Sequence, residues 1–276
     1  MAIKLANGDI SALYLGSTAV SAAYLGSSAV YSTAAISAPS DITGIQLWLN
    51  AADAVISGSS VTSWPSRTGG FSLTVGTGNP TYSENGFNGY PQVQFAGYDA
   101  MRSTAAVLAR NVSDEVSIIA VVRPSAVPSS NRFASRYAVL GGESTNTLGH
   151  YLSLRIYDSD KTYNSSITKA GVSDDVANSG TLVAVERKLH AMTFDAATVT
   201  NYLNNSTAGT ASLNLVSSAT PGNGVFTLGG MFSGGSFLSE FFADVDVAEV
   251  LIYDRALTAN EITSLYDYYN AMYALE

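Results

Sequence analysis

Ala243-Asp244-Val245-Asp246-Val247-Ala248-Glu249-Val250-Leu251-Ile252-Tyr253-Asp254-Arg255-Ala256-Leu257 decides how the chain is read. It opens in alternation, with Asp244 and Asp246 to one side and Val245 and Val247 to the other. It then closes into Val250–Tyr253, the continuous apolar run of a strand buried on both faces. Asp254-Arg255 end the strand and a helix follows. Thr258 is placed to cap it, with Glu261 three residues on as its capping-box partner. Ile262, Leu265, Tyr266, Tyr269, Met272 and Tyr273 recur at helical spacing, which predicts a helix over 259–273 with one face packed. The same stretch holds three carboxylates within six residues, Asp244, Asp246 and Glu249, the most enzyme-like pattern in the chain.

The rest of the chain is a series of short strands. Charged residues are only 13% and hydrophobic ones 46%, with Ser, Thr, Gly and Asn filling much of the remainder. That composition suits stacked sheets joined by polar turns better than a helical protein. Strands are expected at 44–50, 61–64, 92–95, 116–124, 136–141, 150–157, 162–167, 188–195, 198–204 and 225–230. Asn85-Gly86 and Asn88-Gly89 read together as one tight loop. Phe232-Ser233-Gly234-Gly235-Ser236-Phe237 reads as a mobile loop. About a dozen short strands and one closing helix make an all-β antiparallel sandwich.

The net charge of -9 gives no basic patch for nucleic acid, and suits a neutral partner such as a glycan or another protein. No run approaches the ~18 apolar residues of a membrane span, so no membrane insertion is expected. The first residues lack the pattern of a cleaved signal peptide, which points to synthesis in a cytoplasm. The chain has no cysteine and only two histidines, His150 and His190, so no transition-metal site and no cofactor are expected. Asp158-Ser159-Asp160 and Ser173-Asp174-Asp175 could offer oxygens to a hard cation such as calcium, although solvated turns are the commoner explanation. No Gly-x-Ser-x-Gly elbow supports a nucleophilic serine. Tyr137, His150, Tyr151 and Tyr163 flank loops and are the candidate sugar-stacking residues. Trp48 and Trp64 sit within strand patterns and read as core, and His190 reads as structural.

The N-terminus carries a tandem repeat. Tyr14-Leu15-Gly16-Ser17 and Tyr24-Leu25-Gly26-Ser27 recur at a period of ten, followed by Ala19-Val20 and Ala29-Val30. Gly-Ser between β-prone runs predicts two-residue hairpin turns, and a meander of three strands over 12–15, 19–25 and 29–32. So small a sheet must lie against something else, which makes Tyr14, Leu15, Tyr24, Leu25 and Val30 anchor candidates. Residues 33–43, with Pro39, read as a linker between residues 1–32 and a main domain over 44–276. The repeat resembles segments near the ends of tailed-bacteriophage structural proteins. That resemblance implies a virion protein assembled in the host cytoplasm, held to other virion proteins through residues 1–32, and a homo-oligomer.

Four further segments resemble the concanavalin A-like jelly-roll superfamily in its laminin-G-like branch. They are 47–53, 79–95, 190–195, and 248–257 with its helix. The resemblance implies a lectin-like jelly roll displayed for adhesion to host-surface glycans. Retaining glucan hydrolases of this fold carry Glu-x-Asp-x-Glu on one strand, with about 5 Å between the working carboxyls. Asp244, Asp246 and Glu249 are similar to that pattern, which keeps a polysaccharide-degrading enzyme as an alternative. Asp244 is a methylene shorter than Glu, however, and strict alternation puts Glu249 on the opposite face unless a bulge intervenes. A purely structural capsid or tail component without a ligand is the third reading.

Overall fold

The computed structural model describes residues 36–108, 114–124, 186–212, 225–233 and 235–276, with strand backbone at 14–15, 18–19, 22–25, 28–32, 135–140, 151–157, 162–169 and 172–181. Its body is an antiparallel β-sandwich with one helix laid on an outer face. The front sheet runs Ser206–Ser212, Thr198–Leu203, Lys188–Phe194, Val116–Pro124, Val245–Tyr253. The far side of Val245–Tyr253 is shared: Tyr90–Phe95 pairs with its first part and Ile45–Asn50 with its second. The back sheet runs Val55–Ser57, Ser60–Pro65, Ser72–Thr77, Ala100–Ser103, Phe226–Leu228, Ser135–Leu140, Tyr151–Tyr157, Thr162–Lys169, Val172–Thr181. Thr81–Phe87 extends the front sheet beside Tyr90–Phe95, and one pairing, Thr81 with Ser60, links the two sheets.

Two apolar layers follow from the alternation along these strands. Between the sheets lie Leu47, Leu49, Trp64, Val93, Phe95, Ile118, Ala120, Val122, Met192, Phe194, Val245, Val247, Val250 and Ile252. On the outer side of the front sheet, Ile119, Val121, Leu189, Ala191, Leu251 and Tyr253 meet Ile262, Leu265, Tyr269 and Tyr273 of the helix. The strand Val245–Tyr253 is therefore buried throughout, as its apolar run requires. Trp64 lies in the inner layer, whereas Trp48 is half-buried at the edge of the outer one.

The helix spans Ala259–Tyr273 and starts as its sequence dictates. Thr258 Oγ1 accepts from Glu261 N at 3.3 Å, and Thr258 N donates to the Glu261 carboxylate at 2.9 Å. Arg255 holds that carboxylate from outside at 2.5 Å and 2.9 Å. At the other end Ala274 closes the helix at φ +49, where a Cβ crowds the following carbonyl by about 1–2 kcal/mol. Ala274→Gly is expected to raise stability by about 0.5 kcal/mol, read as a higher urea midpoint, after the extra freedom of glycine in the unfolded chain is counted. An unchanged or lower midpoint would mean that the left-handed cap carries no strain in solution.

Several local readings change. Only Asn88-Gly89 turns the chain, at φ +48 and +84, the left-handed pair of a two-residue hairpin. Asn85-Gly86 stays within the strand Thr81–Phe87, where a Cβ on Gly86 would sit 2.0 Å from the Gln92 side chain. Residues 36–43, read as linker, are docked: Ile42 enters the helix-side layer, and Pro39 O accepts from Tyr253 Oη at 2.9 Å. Among the described residues of the N-terminal repeat, Tyr14–Leu15 pairs with Thr18–Ala19 and Ala22–Leu25 with Ser28–Ser32. The anchor candidates Tyr14, Leu15, Tyr24, Leu25 and Val30 lie on these strands. Among the described residues no helix is long and apolar enough to cross a membrane.

Candidate functional site

The acid trio is built into the scaffold. Val121 pairs with Glu249 and Val122 with Val247, so Ala248 is an extra residue that shifts the phase of the strand. Asp246 and Glu249 consequently share the outer, helix-covered face. Glu249 is 1% exposed. Its Oε2 accepts from Trp48 Nε1 at 2.8 Å, and its Oε1 from Asn50 Nδ2 at 2.5 Å and Tyr273 Oη at 2.9 Å. Burial pushes its acid up to about 8 against the lowering effect of the Trp48 and Tyr273 hydrogen bonds and the Arg67 charge. Asp246, 2% exposed, lies opposite Arg123 in the ladder. The Arg123 guanidinium holds it at 2.6 Å and 3.0 Å, while also donating to Gly86 O and Gln92 Oε1. Asp244 Oδ1 accepts from Gly97 N at 2.8 Å. Glycoside cleavage needs two carboxyls facing a sugar. Asp246 and Glu249 instead face packed side chains, whereas Asp244 is half-buried.

The sugar-stacking candidates fare differently. Tyr163 is fully buried between the sheets, edge-on to His190 with centroids 5.1 Å apart, and this corrects its reading as a surface platform. Alternation along Thr162–Lys169 turns it inward. It belongs to a buried polar cluster in which His190 Nε2 meets Asn201 Oδ1 at 2.8 Å and Ser165 Oγ donates to the same oxygen at 2.5 Å. Burial pushes His190 down to about 3, so its imidazole is neutral at physiological pH. Tyr137 and Tyr151 lie on back-sheet strands, with side chains outside the described residues, as are His150 and Asp158-Ser159-Asp160. Asp174 and Asp175 lie on a back-sheet strand, again with side chains outside the description. Among the described residues no three His, Cys, Asp or Glu are grouped to hold a metal ion.

An aromatic hollow at one end of the back sheet went unrecognised in the sequence. It has a volume of about 460 Å³ and is lined by Gly76, Thr77, Tyr98, Phe232, Phe237 and Phe242, together with Gly235, Ser236 and Ser239. The segment read as a mobile loop is a small hairpin: Phe232 pairs with Phe237 and Ser233 with Ser236, and Gly235 takes φ +88 in the turn. Pairing across the hairpin brings the two phenyl rings to 5.0 Å, edge to face. Phe242, 2% exposed, lies 6.0 Å from Phe237 and forms the floor. Tyr98, 60% exposed, stands edge-on to Phe242 at 5.2 Å and forms a wall. The palindromic Phe-Ser-Gly-Gly-Ser-Phe was the available signal, since Gly-Gly between short β-prone flanks marks a hairpin.

Comparison with known proteins agrees with this architecture. A family model described as the concanavalin A-like lectin/glucanases superfamily matches residues 95–263. No curated protein matches the sequence. Among solved structures, domain 4 of AbnA, a GH43 extracellular arabinanase from Geobacillus stearothermophilus, in complex with arabinotriose, is similar at 16% identity and TM-score 0.58. That match covers 81% of this chain and 98% of that domain. Trypanosoma rangeli sialidase is similar at 16% identity and TM-score 0.57, over 82% of this chain and 33% of the sialidase, so the chain spans about a third of that enzyme. The botulinum neurotoxin serotype G binding domain is similar at 12% identity and TM-score 0.58, over 82% of this chain and 51% of that one. At these identities the likeness concerns the fold.

Proposed function

The chain belongs to the concanavalin A-like lectin/glucanases superfamily, and from that premise we propose that it is a carbohydrate-binding display module of a tailed-bacteriophage particle. The observation that carries the binding role is the hollow, where exposed and half-buried aromatic rings converge beside the hydroxyl-bearing Thr77, Ser236 and Ser239. A concave site that sets apolar ring faces beside converging polar groups is what a small ligand needs. The arabinanase domain, similar over almost its whole length, was solved with arabinotriose bound, which supports a sugar as the occupant. The acid trio, engaged in scaffold contacts, supports binding over hydrolysis.

The virion role is supported by the resemblance of the Tyr-Leu-Gly-Ser repeat to segments of phage structural proteins. A two-stranded hairpin is marginal by itself in water, so each N-terminal hairpin calls for a partner surface. In this reading residues 1–32 dock on other virion proteins, the module assembles as a homo-oligomer, and the sandwich projects toward host-surface glycans. Cryo-EM of purified particles should place residues 1–32 against neighbouring virion proteins with the hollow facing outward, and a glycan array should show binding. A chain missing from the particle would sink the virion role. A particle-borne chain silent on the array would be a structural component without a ligand.

A further inference from the structure

We infer that the hollow takes a neutral sugar ring against Tyr98 and Phe237, and that Gly76 sets its depth. The inference rests on the carbohydrate-binding reading above and deepens it. Single exposed apolar side chains are common on protein surfaces, whereas a contiguous group of them marks an interaction site. Here Tyr98 is 60% exposed, Phe232 and Phe237 are half-buried, and all adjoin the buried Phe242. The volume of about 460 Å³ lies within the usual range of small-molecule sites, ~300–1,000 Å³. Aromatic rings offer the apolar face that the C–H side of a pyranose or furanose needs, while the tyrosine hydroxyl keeps a polar reach. Thr77, Ser236 and Ser239 bring hydroxyls to the same rim.

Charge selects the class of sugar. None of the described residues lining the hollow is charged. Arg102 lies outside that lining, with its guanidinium 4.2 Å from the centre of the Phe232 ring. A carboxylate-bearing sugar would lose its hydration in the hollow without a lining cation in return, on a protein of net charge -9. Gly76 positions the stacking ring. A Cβ there would lie 2.3 Å from Phe237 Cε2, so only glycine lets this ring rest against the strand Ser72–Thr77. A Cβ there meets the Phe237 ring and not backbone, so a larger residue shifts the stacking ring, and its effect falls on the hollow more than on the sheet.

The test is calorimetric titration of the full chain with arabinotriose, maltotriose and chitotriose as neutral probes and 3′-sialyllactose as the acidic one. At least one neutral probe is expected to bind. Tyr98→Ala and Phe237→Ala should each weaken it at least tenfold, and Gly76→Ala should do the same with an unchanged circular dichroism spectrum and melting temperature. If a neutral probe binds and these variants bind it equally well, the site lies elsewhere: the inference falls and the carbohydrate-binding reading survives. Tighter binding of 3′-sialyllactose than of every neutral probe overturns the ligand class. If no probe binds and a wider glycan array is also silent, the carbohydrate-binding reading falls and takes the inference with it.

Discussion

Stability should fall as pH rises from about 6.5 to 8.5, above the range in which the buried neutral His190 adds an opposite slope, and Glu249→Gln should abolish most of that fall. The Glu249 acid stands at about 8 in the folded protein against an ordinary 4.5, because burial disfavours its charge. The folded state therefore holds a proton that the unfolded chain releases. For a group raised in this way, the stabilising contribution is complete below about 4.5 and is lost as pH climbs through 8. The slope approaches ~1.4 kcal/mol per pH unit inside that window, and the total is a few kcal/mol. Glutamine has no proton to lose, so the variant's urea midpoint should be nearly flat between about pH 6.5 and 8.5, and below 6.5 both proteins should share the loss that comes from the buried neutral His190. At pH 5.5 it should be less stable than the parent by about 1–2 kcal/mol, since its amide cannot accept at both positions now facing Trp48, Asn50 and Tyr273. Parallel pH profiles for parent and variant would show that Glu249 is not the group that titrates.

Arg123→Ala should destabilise the fold by about 3 kcal/mol at pH 7. Asp246 is 2% exposed and has Arg123 directly across the ladder, so removing the guanidinium takes the ion-pair partner at 2.6 Å from a buried carboxylate. Losing one partner of a buried ion pair costs about 3–5 kcal/mol, and the lower end applies here because the arginine is itself partly solvated. The guanidinium also lies 5.4 Å from the Phe87 ring and bridges Gly86 and Gln92, so part of the loss is packing. Adding Asp246→Asn to Arg123→Ala should recover about 1–2 kcal/mol by removing the buried charge that has lost its ion pair. A double variant as unstable as the sum of the two single ones would mean that the pair is not coupled. Neither outcome bears on the hollow, which uses other residues.

The strand-to-helix passage was legible in the residues themselves. Alternation, a β-branched run and a capping box are local signals, and each names its element without help from the rest of the chain. The cross-strand partners of Lys188–Phe194 and Thr198–Leu203 were legible for the same reason, since a short turn leaves the two runs little choice. The all-β sandwich with its closing helix followed from summing such signals over the chain. The face of Glu249 was not legible. It depends on Ala248 being set out of phase by the registers of neighbouring strands, and on Trp48 and Asn50 arriving from the other end of the sequence.

Tyr163 illustrates the same limit. A tyrosine in a polar stretch reads as exposed until the strand is laid in its sheet and one alternating face is committed to the interior. The hollow is the clearest case. Tyr98, Gly76 and the Phe232–Phe237 hairpin lie far apart in sequence and meet only where the back sheet ends. The sequence by itself determined the class of fold, the elements and their caps, because those depend on contacts within a few residues. Only the tertiary structure decided which acids are sealed and which rings stand together in solvent. Burial and convergence are properties of strand register and layer packing, which no short stretch of sequence contains.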